Sequence, residues 1–235
     1  MGREHCAKQS KTAWEQGLRY IRDNPKIRDV LLSGGDPLTL SNYKLEWLLT
    51  ELRGIDHVEI IRIGTKAPMV LPMRITRELS RLLSRFHPLW MSIHVTHPDE
   101  LTEETKMACG CLSDSGIPLG SQTVLLKGIN DNAETLKTLF QKLLTFRVKP
   151  YYLYQCDPVT GTGHFRTPLE RGIELMDALQ GHTTGYALPY FVVDAPGGGG
   201  KIPLFSTRIS TAEDGTVQLR NYEGKLFPYE EILCI

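Results

Sequence analysis

The feature that most limits what this chain can become is a repeated alternation of short apolar runs and amphipathic segments. Val30-Leu31-Leu32 reads as a buried strand that ends in Ser33-Gly34-Gly35-Asp36-Pro37. Apolar runs of four to eight residues bounded by turn residues suit strands, whereas a 3.6-residue spacing suits a helix. On those grounds 58–63, 89–95, 119–125 and 148–154 are the next strands. Helices are predicted over about 10–24, 44–53, 76–86, 102–113, 132–146 and 167–179, opened by Thr76, Asn132 and Thr167 where a cap is visible. Strands alternating with helices through short loops demand parallel pairing with right-handed crossovers. No dinucleotide fingerprint follows any strand, so a partial or complete α/β barrel is preferred over a Rossmann sheet. Residues 207–219 read as a hairpin turning near Asp214-Gly215, and the segment to Ile235 has no clear periodicity.

Near the end of the chain an apolar run, Tyr190-Phe191-Val192-Val193, leads into Asp194-Ala195-Pro196 and then four consecutive glycines, 197–200, before Lys201. Glycine buries no side chain and costs backbone entropy to order, so packing does not explain the run. A flexible loop that passes close to something bulky, or places the next residue in a tight space, does. A lysine amine delivered this way can form a Schiff base with an aldehyde cofactor; a solvated lysine on a surface turn is the plain alternative.

Composition narrows the classes. Among 235 residues, 27 Lys and Arg offset 27 Asp and Glu, so no net field favours nucleic acid or an anionic membrane. No apolar run reaches the ~20 residues that a bilayer span needs, and the first residues have no signal-peptide core. The expectation is a cytoplasmic protein. The five cysteines, Cys6, Cys109, Cys111, Cys156 and Cys234, are scattered, and Cys109-Gly110-Cys111 is tighter than a zinc pair. They read as reduced thiols with no metal among them.

Polar groups gather where the strands end: Ser33 to Asp36, Thr65-Lys66, His94, Gln122, and Tyr154 to Asp157. In barrels that end carries the active site. The glycine turn Ser33-Gly34-Gly35-Asp36 offers backbone amides and one carboxylate to a ligand, or is a turn and nothing more. His94 and His97 lack a third ligand at a metal-binding interval, which favours hydrogen bonding or packing. Tyr154, in a strand with Tyr151 and Tyr152, is placed either for packing or to stack on a flat ring. Asp157 and Asp194 both follow apolar strands, and if they converge they demand a cationic ligand.

Together these phrases resemble the lysine 2,3-aminomutases of the radical S-adenosylmethionine superfamily. The resemblance runs from about Ile21 to Asn221 and includes 28–36, 119–126, 151–157, 164–168, 181–183 and 191–201. It implies a partial (β/α) barrel of the radical S-adenosylmethionine type over 1–189 and a C-terminal segment, 190–235, that carries the lysine and a hairpin. It also implies an isomerase, an intramolecular aminotransferase that interconverts L-lysine and L-β-lysine. The implied cofactors are pyridoxal 5′-phosphate, S-adenosyl-L-methionine and a [4Fe-4S] cluster. By the same resemblance Lys201 is the Schiff-base lysine and Tyr154 lies beside the pyridoxal ring. Ser33, Gly34, Gly35, Asp36, His94 and Gln122 line the S-adenosylmethionine site, and Asp157 and Asp194 hold the substrate's ε-ammonium. The partner is then a small amino acid, with no nucleic acid and no membrane, and a homo-oligomer in the full-length family.

Two departures accompany the resemblance. The superfamily's Cys-x3-Cys-x2-Cys triplet is not in this sequence; in the family it precedes the segment matching the start of this chain. The chain is therefore expected to be truncated, to lack the first strand and the cluster loop, and to be inactive alone. Asn132 stands where some members bind zinc through a cysteine, so no metal is expected. The paired aspartates argue against an acidic substrate such as glutamate. Arginine, a pyridoxal enzyme without radical chemistry, and a non-catalytic remnant that binds lysine or the cofactor remain alternatives.

Overall fold

The computed structural model describes residues 11–213 and 216–229. Cys6, Cys234 and the expected turn at Asp214-Gly215 lie outside the described residues. In chain order the elements are α1 (Lys11–Arg22), β1 (Asp29–Leu32), α2 (Asn42–Arg53), β2 (Ile60–Thr65), α3 (Ala67–Val70), α4 (Arg77–Ser84) and β3 (Leu89–His94). They continue through α5 (Glu103–Asp114), β4 (Leu119–Leu125), α6 (Ala133–Thr145), β5 (Lys149–Gln155), α7 (Leu169–Leu179), β6 (Tyr190–Ala195) and β7 (Gly200–Pro203). The last three strands are β8 (Ile209–Thr211), β9 (Val217–Arg220) and β10 (Leu226–Tyr229).

Strand order in the main sheet is the sequence order, β1 to β7, and β8–β10 form a separate antiparallel sheet. A Rossmann sheet would break that order at a switch point; a barrel-type repeat preserves it. By contacts the chain divides into two compact units. One holds the residues up to Val95 with Glu100–Gly120 and Phe146–Val148, and the other holds Thr96–Asp99, Ser121–Thr145 and the chain from Lys149 onward.

In the first unit β1, β2 and β3 pair in parallel, with Leu32 opposite Ile63 and Thr65 opposite Ile93. Side chains from the helices and the sheet interlock in a core that includes Leu45, Leu49, Leu52, Ile61, Ile63, Leu79, Leu83, Leu89 and Ile93. Ser41, Thr76 and Thr102 accept from the amides of Lys44, Leu79 and Thr105, so three helices start where a hydroxyl caps them. Arg53 staples the opposite end of the strands. Its guanidinium donates to the carbonyls of Val58, Glu59, Phe86 and Pro88, where β2 and β3 begin.

The second unit pairs β5 with β6 in parallel, Tyr154 opposite Val192, and β6 with β7 in antiparallel. Phe191 is fully buried, and a Cβ on Gly172 of α7 would fall 2.1 Å from its ring, so only glycine lets helix and strand approach this closely. Asn132 caps α6 through the amide of Thr135.

Three expectations need correction. Val30 to Leu32 is a strand but not a buried one: among the described residues β1 ends the sheet and pairs only with β2, which leaves Leu31 42% exposed. Thr167 does not cap α7. Pro168 is the N-cap, with no side-chain bond, and the buried Thr167 hydroxyl has no partner among the described residues. The glycine run is not a flexible loop but the turn of a β-hairpin, because β7 returns along β6 in antiparallel register. The sequence reading also missed α3 and β10, both four residues long; periodicity cannot register over so short a span.

Candidate active site

Two glycine turns hold most of the expected chemistry, one in each unit. In the first unit the parallel register brings Ser33 to Asp36, Thr65-Lys66 and His94 to the same end of β1, β2 and β3. Gly34 and Gly35 adopt φ of 85° and 57°, and a Cβ on Gly34 would meet nothing within 4 Å. The turn is therefore glycine for its backbone conformation, and the space over Gly34 is open.

Asp36 is tied down. Its Oδ1 accepts the Leu38 amide at 3.0 Å and the Thr65 hydroxyl at 2.7 Å. Its Oδ2 accepts the Lys66 amide at 2.7 Å and the Ala67 amide at 3.0 Å. The Thr65 Oγ1 in turn accepts the Ala67 amide at 3.0 Å. Downstream of the turn, Arg74 donates to the carbonyls of Leu38 and Leu40 and to Asn42 Oδ1. Thr65-Lys66 belongs to the strand-end polar groups expected from the sequence, without a role assigned there; Arg74, far from any strand end, gave no such signal.

Lys66 forms an ion pair with Glu100. His94 is partly open to solvent, yet burial of its ring and the Lys66 ammonium push its pKa below the ordinary histidine value, with Asp36 opposing. A neutral imidazole keeps one nitrogen able to accept a hydrogen bond.

In the second unit the hairpin geometry explains the glycines. Gly197, Gly198 and Gly200 have φ of 73°, 83° and 74°, the left-handed region, and Gly200 lies opposite Ala195. The register then sets Lys201 directly across from Asp194. Lys201 Nζ lies 3.3 Å from Asp194 Oδ2 and 5.6 Å from the centre of the Tyr154 ring. Both charged side chains are nearly half exposed, 44% and 46%. Lys201, Asp194 and Tyr154 are thus brought together. Asp157 sits in the exposed loop after β5, where its carbonyl accepts from Val159 and Thr162. Among the described residues no recorded bond joins its carboxylate to Asp194 or Lys201. Gln122 is half-buried on β4, on the face opposite the buried Ser121 and Thr123.

Two cavities in the second unit hold none of these residues. One, about 480 Å³, lies among α7, residues 188–191 and residues 204–209; the other, about 390 Å³, lies beside the start of α7. Among the described residues no group of three His, Cys, Asp or Glu side chains could hold a metal ion. Burial pushes the Cys109 thiol up to about 12, so it stays protonated at neutral pH.

The comparisons with known proteins converge on one family. The lysine-2,3-aminomutase family model matches residues 176–232, which include the hairpin and its lysine. L-lysine 2,3-aminomutase from Methanococcus maripaludis is 53% identical over 228 residues, 97% of this chain and 53% of that protein. The same enzyme from Clostridium subterminale is 51% identical over 217 residues, 92% of this chain and 52% of that protein. The chain belongs to the lysine 2,3-aminomutase family. It spans about half the length of the curated relatives it matches. A glutamate 2,3-aminomutase from Clostridioides difficile is also similar, 45% identical over 222 residues, 94% of this chain and 53% of that protein.

Solved structures agree on the fold. The structure titled native anSMEcpe with bound AdoMet and Kp18Cys peptide aligns with a TM-score of 0.56 at 11% identity, covering 72% of this chain and 50% of that one. A radical SAM methyltransferase from Sphaerobacter thermophilus aligns with a TM-score of 0.53 at 16% identity, covering 76% of this chain and 54% of that one. The fold is the α/β repeat shared with these neighbours, and its main-sheet strands run in sequence order.

Proposed function

We propose that this chain carries the cofactor-lysine part of an L-lysine 2,3-aminomutase, with Lys201 as the residue that holds pyridoxal phosphate. The observation that carries the reading is the cross-strand set of Lys201, Asp194 and Tyr154 on the glycine hairpin. The residues fit that group. The amine is solvent-accessible, a flat ring lies beside it, and Cβ positions on Gly197, Gly198 and Gly200 meet nothing within 4 Å. When bound, pyridoxal phosphate supplies an electron-accepting ring able to carry a migrating amino group.

The chain's own groups have separable tasks. Asp194 accepts an ammonium, first that of Lys201 and then that of a cationic amino acid. Asp157, exposed in the next loop, is the second carboxylate proposed for the substrate's ε-ammonium. Tyr154 offers its ring face to a cation or a flat heteroaromatic. Ser33, Gly34 and Gly35 offer backbone groups to S-adenosylmethionine, and the neutral His94 is the side chain of the same unit proposed to bond it. The thiolates of a Cys-x3-Cys-x2-Cys cluster site are not among these 235 residues. Generating the radical therefore requires ligands from outside this chain.

The full chain, incubated with pyridoxal phosphate, reduced with borohydride and mapped by peptide mass, should carry the adduct on Lys201. Labelling spread evenly over surface lysines would overturn the assignment. L-lysine should bind more tightly than L-glutamate, and Asp194→Ala should weaken it by roughly tenfold, the scale of one charge-assisted hydrogen bond. Equal affinity for lysine and glutamate would remove the case for lysine as substrate.

A further inference from the structure

The Asp36 carboxylate in the first unit is densely bonded, and its partners are mainly backbone. It receives the amides of Leu38, Lys66 and Ala67 and the hydroxyl of Thr65, four donors for two oxygens. A carboxylate offers about four lone-pair sites, so this one has none left for a ligand. Three of the donors belong to the junction between β2 and α3, about thirty residues along the chain. The bonds therefore connect two strand ends and do more than cap a local turn.

We propose that Asp36 is a positioning residue: it meets no ligand, and fixes the Ser33-Gly34-Gly35 backbone by gripping the β2–α3 junction through Thr65, Lys66 and Ala67. This rests on the reading that the turn faces S-adenosylmethionine. Recognition there falls to main-chain groups of the turn, with open space over Gly34, while the aspartate bonds the β2–α3 junction. The same grip fixes the start of the Lys66 side chain, whose ammonium pairs with Glu100 and helps to hold His94 neutral.

A contact role and a positioning role predict different variant series. If Asp36 touched the ligand's ammonium, Asp36→Asn would lose as much affinity as Asp36→Ala, and Thr65→Val would be silent. If it positions, Asn retains part of the network, since its carbonyl still accepts the Lys66 and Ala67 amides while its NH2 group can donate to Thr65. Affinity of the full chain for S-adenosylmethionine, measured by calorimetry, should then fall roughly tenfold in Asp36→Ala and severalfold in Asp36→Asn. Thr65→Val should fall severalfold as well, Thr65→Ser should restore wild-type binding, and Asp36→Ala with Thr65→Val should be less than additive. In the unliganded chain, exchange of the Leu38, Lys66 and Ala67 amides should quicken in Asp36→Ala, and that of Ala67 in Thr65→Val.

A silent Thr65→Val, or Asn equal to Ala, overturns the proposal. If the wild-type chain shows no affinity for S-adenosylmethionine, it is the reading of the turn as that ligand's site that fails. The exchange experiment then decides alone: quickened amides support the grip, and unchanged amides overturn it.

Discussion

The two glycine turns follow apolar strands of one parallel repeat, and each has an aspartate beside it, yet the aspartates do opposite work. Asp36 is bonded to three amides and a hydroxyl and is part of the framework. Asp194 stands nearly half exposed with Lys201 as its ion-pair partner. The difference comes from how the chain leaves each turn. After β1 it enters a segment anchored by buried Leu38 and by Arg74, so the carboxylate can be surrounded by fixed donors. After β6 it doubles back as β7, whose residues are all exposed, so among the described residues the carboxylate pairs with the side chain across the strand. A surrounded carboxylate can set geometry, whereas an open one can exchange one cation for another. Sequence proximity to glycine does not distinguish the two.

The sharpest test of the open turn is Lys201→Ala, which should abolish the borohydride-trapped pyridoxal adduct while leaving urea unfolding close to wild type. An adduct that persists elsewhere at full yield would erase the distinction. Asp36→Ala should cost about 2–4 kcal/mol in urea unfolding, since it strips several part-buried donors of their acceptor. A loss under 1 kcal/mol would show that the framework does not depend on it.

Gly34→Ala and Gly198→Ala probe what the turns share. Both positions have φ near +84° and open space, so strain alone should destabilise each by roughly 1 kcal/mol. A much larger cost at Gly198 would indicate packing that the open hairpin does not show. Lys66→Met should raise the His94 pKa toward its ordinary value in a histidine titration by nuclear magnetic resonance, because one of the two causes holding it down is removed.

The sign for stability follows from that depression. Below about pH 6.5 the unfolded imidazole takes up a proton before the folded one does, so His94 lowers stability as pH falls through that window. Lys66→Met should shrink this loss. The smallest effect belongs to Asp194→Asn, expected to change stability by only about 0–1 kcal/mol because the pair is exposed. A larger loss would place Asp194 in the framework beside Asp36.

Much of the fold was legible in the sequence. The β4 bounds, 119 and 125, match the expected ones because the Gly116-Ile117-Pro118 turn marks where the strand begins. Thr76 and Asn132 announced their helices because a cap acts within three residues. Failures came where a local signal competed with another or where the outcome depended on a distant neighbour. Thr167 looked like a cap, but Pro168 took that position. The Val30–Leu32 run looked buried, but its exposure depends on which strands flank it. The glycine run looked like a loop, because antiparallel return is a property of the pairing and not of the run.

The candidate site divides along the same line. The sequence by itself determined the family, the order of strands and helices, and the residues capable of chemistry: Lys201, Asp194, Tyr154, His94 and the turn at Ser33 to Asp36. The order and the residues follow from residue type and spacing, which act over a few positions, and the family from the resemblance of whole phrases. Only the tertiary structure decided which carboxylate is available. Asp36 is engaged by donors about thirty residues away at the end of β2, and Asp194 faces Lys201 because hairpin register sets them opposite. Hydrogen bonds are satisfied by whatever folding brings near, so the same residue type becomes framework in one turn and a cation site in the other.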